Sequence, residues 1–198
     1  MGRAAAKQER PVQPDRNAIN SYALFAGRSL LCMQTHSKDF WKLFRPSACS
    51  LKLTGADKGA VFDELLEVLE KAKLLPGDLR AAARSALLER EELASTGVGQ
   101  NVAIPHVVLK GLDQAVFGLG LHPQGVEWNA VDGDVVKLFF VVLRPAKASP
   151  QYDPDRHREM MAWIAGLARE PDFRRFALQV QNRTELVDLV KEMSAKLS

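Results

Sequence analysis

The chain has 198 residues, 46% hydrophobic and 26% charged, which suits one sizeable soluble domain with an extension. No run of 18 apolar residues occurs, so no membrane-spanning helix or membrane insertion is expected. The net charge of +3 is uneven: residues 1–45 carry eight Lys/Arg against three Asp/Glu, and the rest carries 19 against 21, so nucleic acid is not an expected partner of the folded part.

Residues 1–16 are polar and charged, with Pro11 and Pro14, and read as disordered. Ala18–Met33 is mildly apolar after basic residues, but Arg28 interrupts it and no cleavage site follows, so it does not read as a signal peptide. The chain reads as cytoplasmic. Met33 precedes a stretch that looks more like a domain start. Cys32 and Cys49 fit neither a zinc site nor a disulfide framework and read as reduced thiols. The expected organisation is an N-terminal extension over 1–45 and a domain over 46–198.

Phe40, Trp41, Leu43 and Phe44 form a short amphipathic segment, ended by Pro46, that should pack onto the domain. Ser50–Thr54 alternates as a half-buried strand does. Asp57 is placed to cap a helix on which Val61, Leu65, Val68, Leu69 and Ala72 recur at helical spacing. The turn Leu75–Asp78 leads into a second helix, Leu79–Glu91, capped by Asp78, so the two form a helical hairpin. Ser95–Asn101 reads as a loop with two glycines, and Val102-Ala103-Ile104 as a brief strand ending at Pro105-His106. Ala115–Leu121 and Val135–Leu143 read as buried strands, with turns at His122–Gly125 and Val131–Asp134. Asp155 should cap a helix to about Ala168, followed by helices near Phe173–Val180 and over Thr184–Leu197. Strands grouped between helices predict a three-layer α/β/α fold, with a mixed central sheet covered on both faces.

The chemistry concentrates between Thr96 and His106. The glycines of Thr96-Gly97-Val98-Gly99 would let backbone N–H groups approach an anion. Pro105 pushes Ile104 to extended geometry, so the strand delivers His106 in a defined direction. An imidazole near neutral pH is largely an unprotonated nucleophile able to attack phosphorus, and the Thr96 hydroxyl could hold phosphoryl oxygens. From spacing alone, a lone histidine after a strand is more often structural, and capping of a turn is another reading of Thr96.

The segment from Arg90-Glu91 through Thr96-Gly97 to Ala103-Ile104-Pro105-His106 resembles the enzyme IIA family, fructose/mannitol class, of the bacterial sugar phosphotransferase system. That family's pattern is Arg-Glu, Thr-Gly, a small residue, then Ala-aliphatic-Pro-His. The likeness runs from about Ser47 to Met193 and takes in Gly125–Trp128, Asp132–Leu138, Arg144-Pro145-Ala146, His157 and Ala168–Arg174. Val107 departs from it, since the family usually has glycine there. The resemblance implies that His106 takes a phosphoryl group from a small histidine phosphocarrier protein. It implies that His157, a second family histidine near a helix N-terminus, sits beside it and hydrogen-bonds the phosphoryl group or the imidazole. Arg90 would offset negative charge, with a surface ion pair as its alternative. His122 has no assignable family role and reads as an exposed turn residue; His36 receives none. No cofactor and no metal is expected.

Three functions stay open at this point. A free-standing domain resembles the nitrogen-regulatory branch, in which partner proteins read the phosphorylation state. A soluble sugar-specific enzyme IIA would instead pass phosphoryl to an enzyme IIB. A non-phosphorylated interaction module of the same fold is the third, and the presence of both His106 and His157 argues against it.

Overall fold

The computed structural model describes residues 37–196. The chain up to residue 36, with Cys32 and His36, lies outside the described residues, as does the end expected for the last helix at Leu197. The elements run β1 (Cys49–Ser50), α1 (Lys58–Lys71), α2 (Arg80–Leu93), β2 (Gly97–Gly99), β3 (Val102–Ala103), β4 (His106–Leu109), β5 (Val116–Val126), β6 (Val136–Pro145), α3 (Pro154–Arg169), α4 (Pro171–Ala177) and α5 (Arg183–Ser194).

The sheet is organised around β6. β5 pairs with it antiparallel on one side, and β3 and β4 pair with it parallel on the other. β1 extends the sheet beyond β5 in parallel, and β2 lies antiparallel outside β3, so the sheet is mixed. β3 and β4 are halves of one line interrupted at Ile104-Pro105. Proline has no N–H for a ladder, yet its carbonyl still accepts from Val142 N at 2.9 Å, which ties the interruption to β6.

Alternation along β6 divides the interior into two cores. Leu138, Phe140 and Val142 belong to a cluster with Trp163, Ile164, Phe173 and Leu186 of α3, α4 and α5. Val136, Phe139, Val141 and Leu143 belong to a cluster with Phe62, Leu65, Leu69 and Leu87 of α1 and α2. A strand buried on both faces reads as a continuous apolar run, and β6 does. This is the expected three-layer α/β/α arrangement. Phe40 and Phe44 are buried in the first cluster, so the 3₁₀ segment Ser37–Leu43 is part of the packing. Each such ring contributes about 1.5–3 kcal/mol by its burial. Cys49 is a free thiol in the same cluster, and burial pushes its pKa up to about 12.

Several local expectations change. Asp57 does cap α1, accepting from Ala60 N at 2.9 Å. Asp78 does not cap α2: it lies in a 3₁₀ turn, Gly77–Leu79, and the cap position falls on Leu79 with no side-chain bond. On α3 the cap is Asp153, not Asp155. Its carboxylate accepts from Asp155 N at 2.9 Å, because Pro154 takes the first helical position and moves the start earlier. Ser95–Asn101 is not all loop. Gln100 and Asn101 both have positive φ, 56° and 64°, which makes a tight hairpin turn between β2 and β3. Regular pairing of β1 stops at Ser50, although Leu53 N still reaches Leu121 O at 2.8 Å. His122–Gly125 is not an exposed turn. β5 runs through it, the register shifting between Leu121 and Val126 where Gly125 has φ 81°, and His122 is buried. Neither His122 ring nitrogen has a hydrogen-bond partner among the described residues.

Candidate active site

His106 opens β4 directly after Pro105 and is half-buried. Its Nδ1 lies 2.8 Å from the carbonyl oxygen of Ile104, two residues back. A carbonyl can only accept, so Nδ1 carries the proton and donates, and in the neutral ring Nε2 keeps its lone pair. Val107, which follows, packs into the α1/α2 core. A side chain is accommodated there because successive residues of a strand point to opposite faces.

His106 lines a cleft of about 390 Å³ together with Arg90 and Leu93 of α2, Val108 of β4 and Arg144 of β6. Glu89 also lines it. Arg90 is anchored at the end of α2, where Nη1 donates to Ala94 O at 2.8 Å. A guanidinium has several further donors.

His157 stands in the first turns of α3, its backbone N–H donating to Asp153 O at 3.0 Å. Its Nδ1 is buried without a partner among the described residues. Burial, then the charge of Arg144, then that of His106, pushes its pKa down to about 4. The ring is therefore neutral at pH 7. His106 and His157, remote in the chain, are close enough to act on each other electrostatically.

Thr96 and Gly97 are set apart from this cleft. Thr96 is 4% exposed; its N–H donates to both Glu91 carboxylate oxygens at 3.1 Å, and its hydroxyl donates to Glu91 Oε2 at 2.5 Å. The same hydroxyl accepts from Trp128 Nε1 at 3.2 Å. Gly97 is buried, its N–H donating to Ser95 Oγ at 3.1 Å. A Cβ at Gly97 would stand 2.8 Å from Ala130 Cβ, so close packing accounts for this glycine. Both residues support the hairpin that carries His106, and Thr96 O accepts from Ile104 N at 3.0 Å.

Arg144 and Tyr152 border the site without being among the residues expected there. Arg144 Nη1 donates to Tyr152 Oη at 3.4 Å, and the Tyr152 ring lies 5.7 Å from that of His157. The usable signal for Arg144 is a charge closing the apolar run of β6. Tyr152 carries no signal, since it sits in a loop between Pro150 and Pro154. Among the described residues no group of three or more His, Cys, Asp or Glu side chains could hold a metal ion, and no helix is long and apolar enough to cross a membrane.

The family described as "Phosphoenolpyruvate-dependent sugar phosphotransferase system, EIIA 2" matches residues 42–193. The chain belongs to that family. As an EIIA 2 protein it is a phosphotransferase-system component that carries phosphoryl on histidine. The fructose-specific EIIABC component of Bacillus subtilis is 26% identical over 151 residues, 76% of this chain and 23% of that longer protein, so this EIIA 2 chain spans under a quarter of that relative. A nitrogen regulatory protein of Bradyrhizobium diazoefficiens is 37% identical over 109 residues, 54% of this chain and 67% of that one. In structure, the nitrogen regulatory protein IIA-Ntr from Neisseria meningitidis superposes with a TM-score of 0.66 at 29% identity, over 75% of this chain and 97% of that one.

Proposed function

We propose that this chain accepts a phosphoryl group on Nε2 of His106 from a phosphohistidine of a small carrier protein, and that partner proteins in the cytoplasm read the resulting state. The observation that carries this is the Nδ1–H to Ile104 carbonyl bond at 2.8 Å, which leaves Nε2 as the nucleophile. In the transfer, the Nε2 lone pair forms the new N–P bond while the donor's N–P bond breaks and returns its electron pair to the donor imidazole. No proton has to leave His106. Its Nδ1–H stays on the Ile104 carbonyl, which stabilises the imidazolium formed. Positioning and charge stabilisation supply the catalysis.

Arg90 supplies guanidinium donors to the phosphoryl oxygens. His157 is neutral, so its ring can donate one hydrogen bond without placing a second cation beside His106. Thr96 and Gly97 act from behind, by fixing the hairpin. Leu93 and Val108, 84% and 44% exposed at the cleft, offer an apolar rim against which a carrier protein docks. The carrier unit is residues 46–198 together with the Ser37–Leu43 segment packed on it.

The regulatory reading is supported by the 37% identity to a nitrogen regulatory protein. A sugar-specific enzyme IIA handing phosphoryl to an enzyme IIB is the second reading, favoured by the fructose-specific relative. Incubation with phosphoenolpyruvate, enzyme I and the phosphocarrier tests the common step by intact mass. The parent should gain one phosphoryl group and His106→Ala none. A parent that gains none, or a variant that gains as much, overturns the assignment; onward transfer to an enzyme IIB would favour the sugar-specific reading.

A further inference from the structure

We propose that Arg144 is a second guanidinium gripping the phosphoryl group on His106, held ready by Tyr152. The inference rests on the carrier reading above and adds residues to it.

Register places Arg144 at the site. In the parallel pair of β4 and β6, His106 lies opposite Val142 and Val108 opposite Arg144. Alternate residues of a strand share a face, so Arg144 and His106 project from the same face of the sheet, one step apart along it. Both line the same cleft. The charge of Arg144 also acts on His157, so the guanidinium stands near both histidines.

Arg144 carries its charge there without a carboxylate. Among the described residues its one hydrogen bond is to Tyr152 Oη at 3.4 Å, long for such a bond. Glu89 lines the cleft but forms no ion pair with it, whereas Arg80, Arg84, Arg158 and Arg175 all pair with acids. Its other donors have no protein acceptor among the described residues and line the cleft, where they suit an oxyanion. The phosphoryl group is that anion.

Tyr152 is built as the holder. It is 6% exposed, and its backbone exchanges two 3.0 Å hydrogen bonds with Ser149. Ser149 Oγ in turn donates to Asp113 O at 2.9 Å, which fastens the loop to the segment before β5. The buried ring lies against His157 and its hydroxyl reaches Arg144, so one side chain orients two members of the site. Arg144 donates N–H bonds to oxygens whose charge is redistributed as the donor's N–P bond breaks and the Nε2–P bond forms.

A pair of phosphoryl donors tests this on the full chain. The phosphorylated carrier protein must dock, whereas phosphoramidate is a small donor that needs no docking surface and leaves as ammonia. Arg144→Gln should slow uptake on His106 from both donors by about a hundredfold. Arg144→Lys, which keeps the charge, should recover part of the rate, and Tyr152→Phe should show a smaller loss. In Arg144→Gln the His157 titration, followed by NMR, should also move up from about 4, reporting that the variant is folded and the charge was nearby. Rates for Arg144→Gln within twofold of the parent with both donors overturn the proposal and leave the carrier reading standing. Slowing with the carrier protein alone overturns it too, and assigns Arg144 to docking. A parent that reacts with neither donor removes the carrier reading itself.

Discussion

Two regions hang on the one segment between Arg90 and His106, and they treat polar groups in opposite ways. Around Thr96 the groups are saturated. Glu91, 6% exposed, takes the Thr96 N–H and hydroxyl and an ion pair from Lys58 Nζ at 3.1 Å. Trp128 Nε1 closes the set on the Thr96 hydroxyl, and Lys58 Nζ sits 5.5 Å from the Trp128 ring centroid. Around His106 the groups are left wanting. Among the described residues Nδ1 of His157 has no partner, and Arg144 has one long bond. Buried polar groups are normally satisfied, and on the proposed carrier reading a phosphoryl group would complete the bonding of the set around His106. The motif residues therefore divide: Glu91, Thr96 and Gly97 hold the backbone, while Arg90 and His106 line the cleft.

The widest separation between the regions should come from Trp128→Ala. Trp128 is fully buried, with Phe62 and Phe139 edge-on at 5.3 and 4.9 Å. Its loss should cost about 3–5 kcal/mol of stability in denaturant melts. Phosphoryl uptake per folded molecule should survive. Loss of uptake in the folded fraction would show that the two regions are not separable.

A finer cut is Thr96→Val, which keeps the shape and deletes the hydroxyl. The Glu91 carboxylate and Trp128 Nε1 each lose a partner, so stability should fall by about 1–3 kcal/mol. The rate of uptake on His106 should stay within a few-fold of the parent. A large fall in rate with unchanged stability would instead put the Thr96 hydroxyl on the phosphoryl group and erase the division.

That division is what the sequence could not express. The apolar run of β6 and the helical spacing of α1 made the layered fold legible, because burial on both faces and on one face leave different patterns. His106 stood out through the Arg-Glu, Thr-Gly and Ala-Ile-Pro-His pattern that resembles the enzyme IIA family, not through its place after Pro105, which alone reads more often as structural. Thr96-Gly97 also stood out, but a residue pattern does not say which way a hydroxyl points, and the glycine is there for Ala130. His122 misled for a related reason: His-Pro-Gln-Gly has the composition of a turn, yet β5 absorbs it through the register shift at Gly125. Arg144 and Tyr152 meet only through the folding of the loop after β6, which no local pattern encodes.

The smallest effect, and the one most particular to the unsatisfied region, is the pH dependence set by His157. Its folded pKa is depressed to about 4 from the ordinary 6.5, by burial first, then by Arg144 and His106. As pH falls, the unfolded chain binds this proton before the folded one does. The contribution of His157 is thus fully present above pH 6.5 and is lost as pH falls toward about 4. His157→Gln removes that dependence, while other titrating groups remain in both proteins and cancel in the difference. The melting temperature of the parent relative to the variant should decline between pH 7 and about 4. His157 is only part-buried, so the decline should be modest beside the loss in Trp128→Ala. A constant difference across that range, or a His157 resonance titrating near 6.5, would mean that the ring is hydrated and paired. The contrast between the two regions would then rest on Arg144 alone.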